Sequence, residues 1–267
     1  MTFAIAFPNI DPVIFAIGPF AIRWYALAFI AGLLIGVKYL GSFVGNPPYA
    51  MDQKNVDDFL VWATLGVVLG GRLGYVVFYN LEFYTTYPLA VLKVWEGGMS
   101  FHGGLLGVIV SIILFCRQRN LSFLGVSDAV SCAAPIGLFF GRVANFINGE
   151  LFGRVSDVPW AMVFPYGGLL PRHPSQLYEA GLEGVALFII LFSFSKKEML
   201  RQKPGFLSGV FIIGYAVARG FVELFREPDA HIGFLFGNFT MGQLLSVPLV
   251  LLGIYLVFRP QKSSPST

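Results

Sequence analysis

Seven stretches of apolar sequence, most approaching the about 20 residues a helix needs to cross a bilayer, constrain this chain more than any other feature. They lie at Phe20–Phe43, Phe59–Tyr79, Gly98–Phe115, Ala129–Ile147, Leu177–Phe194, Leu207–Phe225 and Met241–Phe258. Charged residues make up only 12% of the chain and its mean hydropathy is +0.71. Soluble domains carry roughly 25% charged residues, so this chain cannot cover a water-facing surface. In hydrocarbon the backbone must pair with itself, and helices do so within one segment. The expected fold is an all-α integral membrane protein, a bundle of about seven transmembrane helices forming one polytopic domain over residues 1–267. The third stretch is the weakest. Its first half is glycine-rich, contains His102, and is expected to be irregular or re-entrant.

Basic residues in the connectors orient the chain. Lys54 follows the first stretch, Arg117 and Arg119 the third, Lys196, Lys197, Arg201 and Lys203 the fifth, and Arg259 and Lys262 the seventh. With alternating spans these all fall on one side, while Lys93, Arg154, Arg172 and Arg226 fall on the other. The side richer in Lys and Arg is the cytoplasmic one, which predicts N-terminus outside and C-terminus cytoplasmic. The longest outer connector, residues 148–176, holds Pro159, Pro165, Pro171 and Pro174 and is expected to form a small cap. The segment from Met1 to Pro19 has no basic residue before its apolar ones, unlike a secretory signal, and reads as an ordered or interfacial lead-in. A net charge of +3, with no basic run interleaved with aromatics, speaks against nucleic acid. Cys116 and Cys132 sit in apolar stretches without metal-ligand spacing and read as small buried hydrophobes. No metal and no cofactor are expected.

Glycines at four-residue steps, Gly66, Gly70 and Gly74, Gly32 and Gly36, Gly137 and Gly141, let helices approach closely. Charges inside spans are costly and mark function by default. Here they are Arg72, Arg142, Arg219 and Glu223, with Glu150 and Arg226 at span ends. In a helix Arg142, Asn145 and Gly149 face one way, offering a guanidinium fork, an amide and bare backbone to an oxygen-rich anion such as a phosphate ester. Arg219, Glu223 and Arg226 form a second stripe, in which Glu223 can orient Arg219. His102 is flanked by glycines that let a ligand or another backbone come close. Ser175 is placed to cap the fifth span.

Three segments carry a resemblance: His102-Gly-Gly-Leu-Leu-Gly107, the fourteen residues from Gly141 to Arg154, and Arg172-His-Pro-Ser-Gln-Leu-Tyr-Glu179. They resemble those of bacterial prolipoprotein diacylglyceryl transferases, and the similarity runs from Tyr25 to the last span. The resemblance implies transfer of a diacylglyceryl group from phosphatidylglycerol to the lipobox cysteine thiol of a prolipoprotein at the inner membrane, releasing glycerol 1-phosphate without a cofactor. It implies catalytic roles for Tyr25, His102, Arg142, Asn145, Glu150 and Arg219, and substrate binding by Arg142, Arg219, Glu223, Gly153, Asn148, Arg154, Tyr75 and Tyr215. The residue chemistry fits. Arginines can hold a departing phosphate in a low-dielectric site, and His102 can take the thiol proton or orient the substrate. Asn145 and Glu150 can position headgroup hydroxyls or an arginine. A transporter would show broken helices in repeated halves, an intramembrane protease would need a nucleophile or metal motif, and a scaffold would not tolerate this many buried arginines. None of these rivals fits as well.

Overall fold

The computed structural model describes residues 5–8, 10–18, 20–48, 50–94, 97–228, 235 and 239–260. Met1, Pro19 and Lys262 lie outside the described residues. Among the described residues six helices are long and apolar enough to cross a membrane: α1 Trp24–Val44, α2 Gln53–Tyr79, α3 Phe101–Arg119, α4 Phe123–Ile147, α5 Ser175–Ser195 and α7 Met241–Phe258. Between the last two runs the shorter apolar helix α6, Phe206–Val222. The expected all-α membrane fold is therefore present, with seven apolar helices among the described residues.

Two departures are local. The first stretch begins as a strand, not a helix: β2 Val13–Ile17 pairs antiparallel with β3 Phe20–Arg23 across Gly18, and α1 starts only at Trp24. Gly18 has φ +58°, a turn conformation that glycine adopts without steric cost. Near the N-terminus β1 Ile5–Ala6 runs parallel to β4 Met162–Val163, a pairing with distant sequence that no local pattern reveals.

The chain forms two compact units, Met1–Leu40 with Val130–Thr267, and Gly41–Ala129. The second unit is built on α2 and α3. Asp52 caps α2 by accepting from the amide of Asn55 at 2.7 Å, and Ser100 caps α3 by accepting from Gly103 at 3.2 Å. Gly98–Ser100 is irregular as expected, with Gly98 at φ +77°, whereas the glycine-rich run from Phe101 onward is regular helix. Its glycines serve helix packing. A Cβ on Gly70 would strike the Gly103 carbonyl, one on Gly74 would lie 2.7 Å from the Gly103 Cα, and one on Gly107 would strike the Gly66 carbonyl. The backbone that approaches His102-Gly103-Gly104 is that of α2, which removes one reason for reading a ligand site there.

Arg72 is likewise structural. It is 4% exposed, and its Nε donates to Val91 O at 2.8 Å, Nη1 to Gly97 O and Gly98 O at 2.6 and 3.2 Å, and Nη2 to Ala90 O and Lys93 O at 2.7 and 3.0 Å. A guanidinium has five N–H donors, and Arg72 spends all of them on the connector before α3, with the Tyr84 ring 5.2 Å from its centre. Arg72→Leu should therefore unfold this connector. Each orphaned buried acceptor costs about 1–3 kcal/mol, and the loss is expected as a lower thermal midpoint and faster proteolysis within residues 80–100.

In the first unit, glycines again set the close approaches. Gly209 and Gly253 bring α6 and α7 together, and Gly184 presses α5 against Phe139 of α4, where a Cβ would lie 2.7 Å from the Phe139 Cβ. Gly32 packs on Phe140 and Gly137, whereas a Cβ on Gly36, Gly137 or Gly141 would meet nothing within 4 Å. The small-residue steps therefore serve packing in some helices and leave open space in others.

Candidate functional site

The first unit concentrates charge where α4, α5 and α6 meet. Arg142 lies five residues before the end of α4. Glu179 and Glu183 face it from α5, both fully buried. Arg219 comes from the last turn of α6, and Glu223 and Arg226 from the turn that follows. The helix ends at Val222, three residues before the expected boundary, but the amide of Arg226 still donates to Val222 O at 3.0 Å, so the helical stripe continues through the turn.

Glu179 is the hub of this cluster. Its Oε2 lies 3.2 Å from Arg142 Nε, and its Oε1 accepts from Arg219 Nη1 and, at 3.2 Å, from Arg226 Nη1. Arg219 Nη2 pairs with Glu223, the i,i+4 pair expected from the sequence. Arg142 Nη2 reaches Glu183 Oε2 at 3.4 Å. Three guanidinium groups thus face three carboxylates, which makes the cluster neutral when all are ionised. Charges this deep in a span are tolerated only when paired.

Arg142 and Arg219 differ from Arg72 in one respect. Among the described residues nothing accepts from Nη1 of Arg142 or from Nε of Arg219. Their side chains are 16% and 17% exposed, so each keeps N–H groups for an incoming anion while its other donors are held. That combination orients a guanidinium fork without consuming it.

Beside the cluster, the chain after α4 is locked in an unusual turn. Gly149 and Leu151 take φ +66° and +58°. Asn145 Nδ2 and Asn148 Nδ2 both donate to Glu150 Oε1, at 2.9 and 3.2 Å. Gln176 Nε2 donates to the Glu150 carbonyl at 2.5 Å, and Ser175 Oγ to the Leu151 carbonyl at 3.0 Å. Ser175 therefore clasps this loop and does not cap α5, whose cap position is Pro174. Gly149 lies against Pro165 and Phe7, away from the helical face assigned to it. Arg142 turns to the glutamates and Asn145 to Glu150, so the stripe expected from Arg142, Asn145 and Gly149 is divided.

Gly153 pairs with Arg226 as an isolated bridge, and its amide donates to His173 O at 2.8 Å. A Cβ there would meet the Phe225 carbonyl and lie 2.7 Å from His173 Cβ, which is why the position takes glycine. Arg154 donates from Nε to Arg226 O at 2.9 Å and from Nη2 to Glu223 O at 3.1 Å. It braces the turn that carries Glu223 and Arg226. Arg172 holds Gly167 O, Gly153 O and Glu227.

His173 belongs to a short polar chain. Trp160 Nε1 donates to the Tyr178 oxygen at 2.7 Å, and that hydroxyl hydrogen-bonds His173 Nδ1 at 3.0 Å. Burial holds His173 below the usual imidazole range.

Of the residues named from the sequence, Arg142, Arg219, Glu223, Asn145, Asn148, Glu150, Gly153 and Arg154 thus lie in one continuous network of the first unit. Tyr215, one turn before Arg219, faces the same carboxylates. Tyr25 stands in the first turn of α1, 45% exposed. His102 and Tyr75 belong to the second unit. His102 occupies the first turn of α3 with an exposed ring edge-on to Phe101 at 5.7 Å, and Tyr75 stacks on Tyr79 at 5.6 Å. Glu179 and Glu183 were not expected as ionic partners. Glu183 carried a usable signal, since an acid within an apolar span belongs with the intramembrane arginines.

A family model described as prolipoprotein diacylglyceryl transferase matches residues 12–259. The chain is 63% identical to the phosphatidylglycerol–prolipoprotein diacylglyceryl transferase of Paramagnetospirillum magneticum, over 96% of each chain. It is 59% identical to that of Rhodospirillum rubrum, over 99% of this chain and 97% of the relative, and 56% identical to that of Azospirillum brasilense, over 97% of each. With the charged network enclosed by a match that spans the apolar helices, the chain belongs to the prolipoprotein diacylglyceryl transferase family.

Proposed function

We propose that this chain transfers the diacylglyceryl group of phosphatidylglycerol to the lipobox cysteine thiol of a prolipoprotein, releasing glycerol 1-phosphate, as the first step of lipoprotein maturation. The observation that carries the reading is that Arg142 and Arg219, on separate helices, are anchored to one buried carboxylate while each keeps donors unused. Two forks held in this way suit a single phosphate with oxygens on both sides.

In this reading the phosphodiester binds Arg142 and Arg219. The thiolate attacks the glycerol carbon that bears the phosphate ester, forming the S–C bond, and the C–O bond breaks with its electron pair on the phosphate oxygen. The second negative charge that develops on the leaving glycerol phosphate is stabilised by the same forks, which are oriented before the reaction. A free thiol has a pKa of about 8.5, and cations nearby favour its thiolate. Glu150, held by Asn145 and Asn148, is placed to position headgroup hydroxyls. Tyr25, Tyr75 and Tyr215 are assigned to substrate contact, and His102 to orienting the substrate or taking the thiol proton.

The proposed setting is the bacterial inner membrane, N-terminus outside and C-terminus cytoplasmic, with residues 148–176 as a cap on the outer face. The support is the excess of Lys and Arg in the connectors assigned to the cytoplasm. The test is a reconstitution. Purified protein in phosphatidylglycerol vesicles, given a lipobox peptide, should add one diacylglyceryl mass to the peptide and nothing to its Cys→Ser variant. A peptide of unchanged mass would reject the reading.

A further inference from the structure

Glu183 enters none of the steps above, yet it is the cluster's most unusual member. It is fully buried, its Oε2 lies 3.4 Å from Arg142 Nη2, and among the described residues its Oε1 has neither a hydrogen bond nor an ion pair, whereas Glu179 Oε2, also without a hydrogen bond, lies 3.2 Å from Arg142 Nε. Buried carboxylate oxygens are normally satisfied, and an unsatisfied one requires an explanation. The groups facing this carboxylate are Arg142 from α4, Glu179 one turn earlier on α5, and Arg219 and Tyr215 from α6. The segment that carries it, Ala180–Ala186, is π-helical, a rare winding that is frequent at functional sites.

The charge balance supplies a reason for the free oxygen. A neutral cluster of three arginines and three glutamates first receives a phosphodiester with one negative charge. As the thiol sheds its proton and the C–O bond breaks, the phosphate gains a second charge and competes with Glu183 for Arg142. A carboxylate losing its one ion-pair contact among the described residues, while its other oxygen is already unpaired, is strongly disfavoured in a low-dielectric site, unless it takes up a proton.

Resting on the transferase reading, we propose that Glu183 takes up the proton given by the thiol, on Oε1, and holds it while glycerol phosphate occupies the site. The S–H bond breaks with its electron pair kept on sulfur, that pair forms the S–C bond, and the C–O pair goes to the phosphate oxygen. The proton sits on Glu183 until glycerol phosphate leaves and Arg142 returns to the carboxylate, which then releases it. His102 is left with orienting the substrate.

The test uses full-length protein in phosphatidylglycerol vesicles with a lipobox peptide, following initial rates from about pH 6 to 9. In wild type kcat should fall on the acid side, where Glu183 is protonated before the thiol can give up its proton. Glu183→Gln keeps the shape and an oxygen for Arg142 but cannot accept the proton. Its kcat should drop about 10²-fold, with KM for phosphatidylglycerol little changed and the wild-type acid-side inflection replaced by a rise toward pH 9 that follows the thiol's own ionisation. Glu183→Asp should retain the acid-side inflection, and so should His102→Gln. The proposal is overturned if Glu183→Gln stays within a few-fold of wild type, if it slows but keeps the acid-side inflection at the wild-type pH, or if His102→Gln removes that inflection. Should Glu183→Gln unfold at a lower temperature than wild type, Glu183→Asp decides, because a lost acid-side inflection there also rejects the assignment. Failure of the wild type itself to modify the peptide would instead reject the transferase reading.

Discussion

Arg142→Ala is expected to abolish measurable transfer, and Arg142→Lys to reduce kcat by about 10²–10³-fold while the protein still inserts and folds. The larger figure matches the loss of a preorganised donor to a developing oxyanion, about 3–4 kcal/mol of transition-state stabilisation. Lysine keeps the charge but cannot span Glu179 and Glu183 from one planar group as the guanidinium does at 3.2 and 3.4 Å, and it has no second arm for the phosphate. Initial rates in phosphatidylglycerol vesicles, alongside a thermal midpoint, separate the two effects. Near-wild-type turnover by Arg142→Ala would remove the phosphate role from this residue.

The second large effect concerns Glu179, which touches no substrate in this account. It holds Arg142, Arg219 and Arg226 at once, so its loss leaves three guanidiniums with less compensating charge inside the span. Breaking a buried ion pair from one side costs about 3–5 kcal/mol. Glu179→Leu should therefore lower the thermal midpoint by on the order of 10 °C and leave little active protein. Glu179→Gln, whose amide oxygen can still accept from one arginine, should be milder in stability yet still slow, because Arg142 and Arg219 lose their common anchor. A Glu179→Leu protein with wild-type stability and turnover would mean that the two forks are positioned by something else.

Much of this architecture could be read from the chain. Hydropathy located the spans because a lipid solvent leaves few alternatives to helices, and α7 matches its expected limits, Met241–Phe258. The cost of intramembrane charge singles out Arg142, Arg219 and Glu223 from sequence alone. What stayed hidden depends on distant pairing or on side-chain partners. Strand β1 finds its partner some 150 residues away at Met162. Arg72 and Arg142 look alike in sequence, and only the carbonyls around Arg72 show that its five donors are spent on the fold. The start of α3 was misread because glycine weakens a helix in isolation, whereas here close packing on α2 requires it. Ser175 was misassigned because a serine at a helix start resembles a cap, while its hydroxyl serves the Leu151 carbonyl.

The most direct test of the central claim, that the arginines hold the phosphate that departs, is to follow phosphorus during turnover. Purified protein in vesicles of phosphatidylglycerol labelled at phosphorus is given the lipobox peptide, and peptide and water-soluble products are separated and weighed. The account predicts a thioether-linked peptide free of phosphorus and one equivalent of labelled glycerol phosphate in the water phase. Phosphorus on the peptide, or unlabelled glycerol as the soluble product, would show that the P–O bond breaks instead of the C–O bond, and would contradict the account.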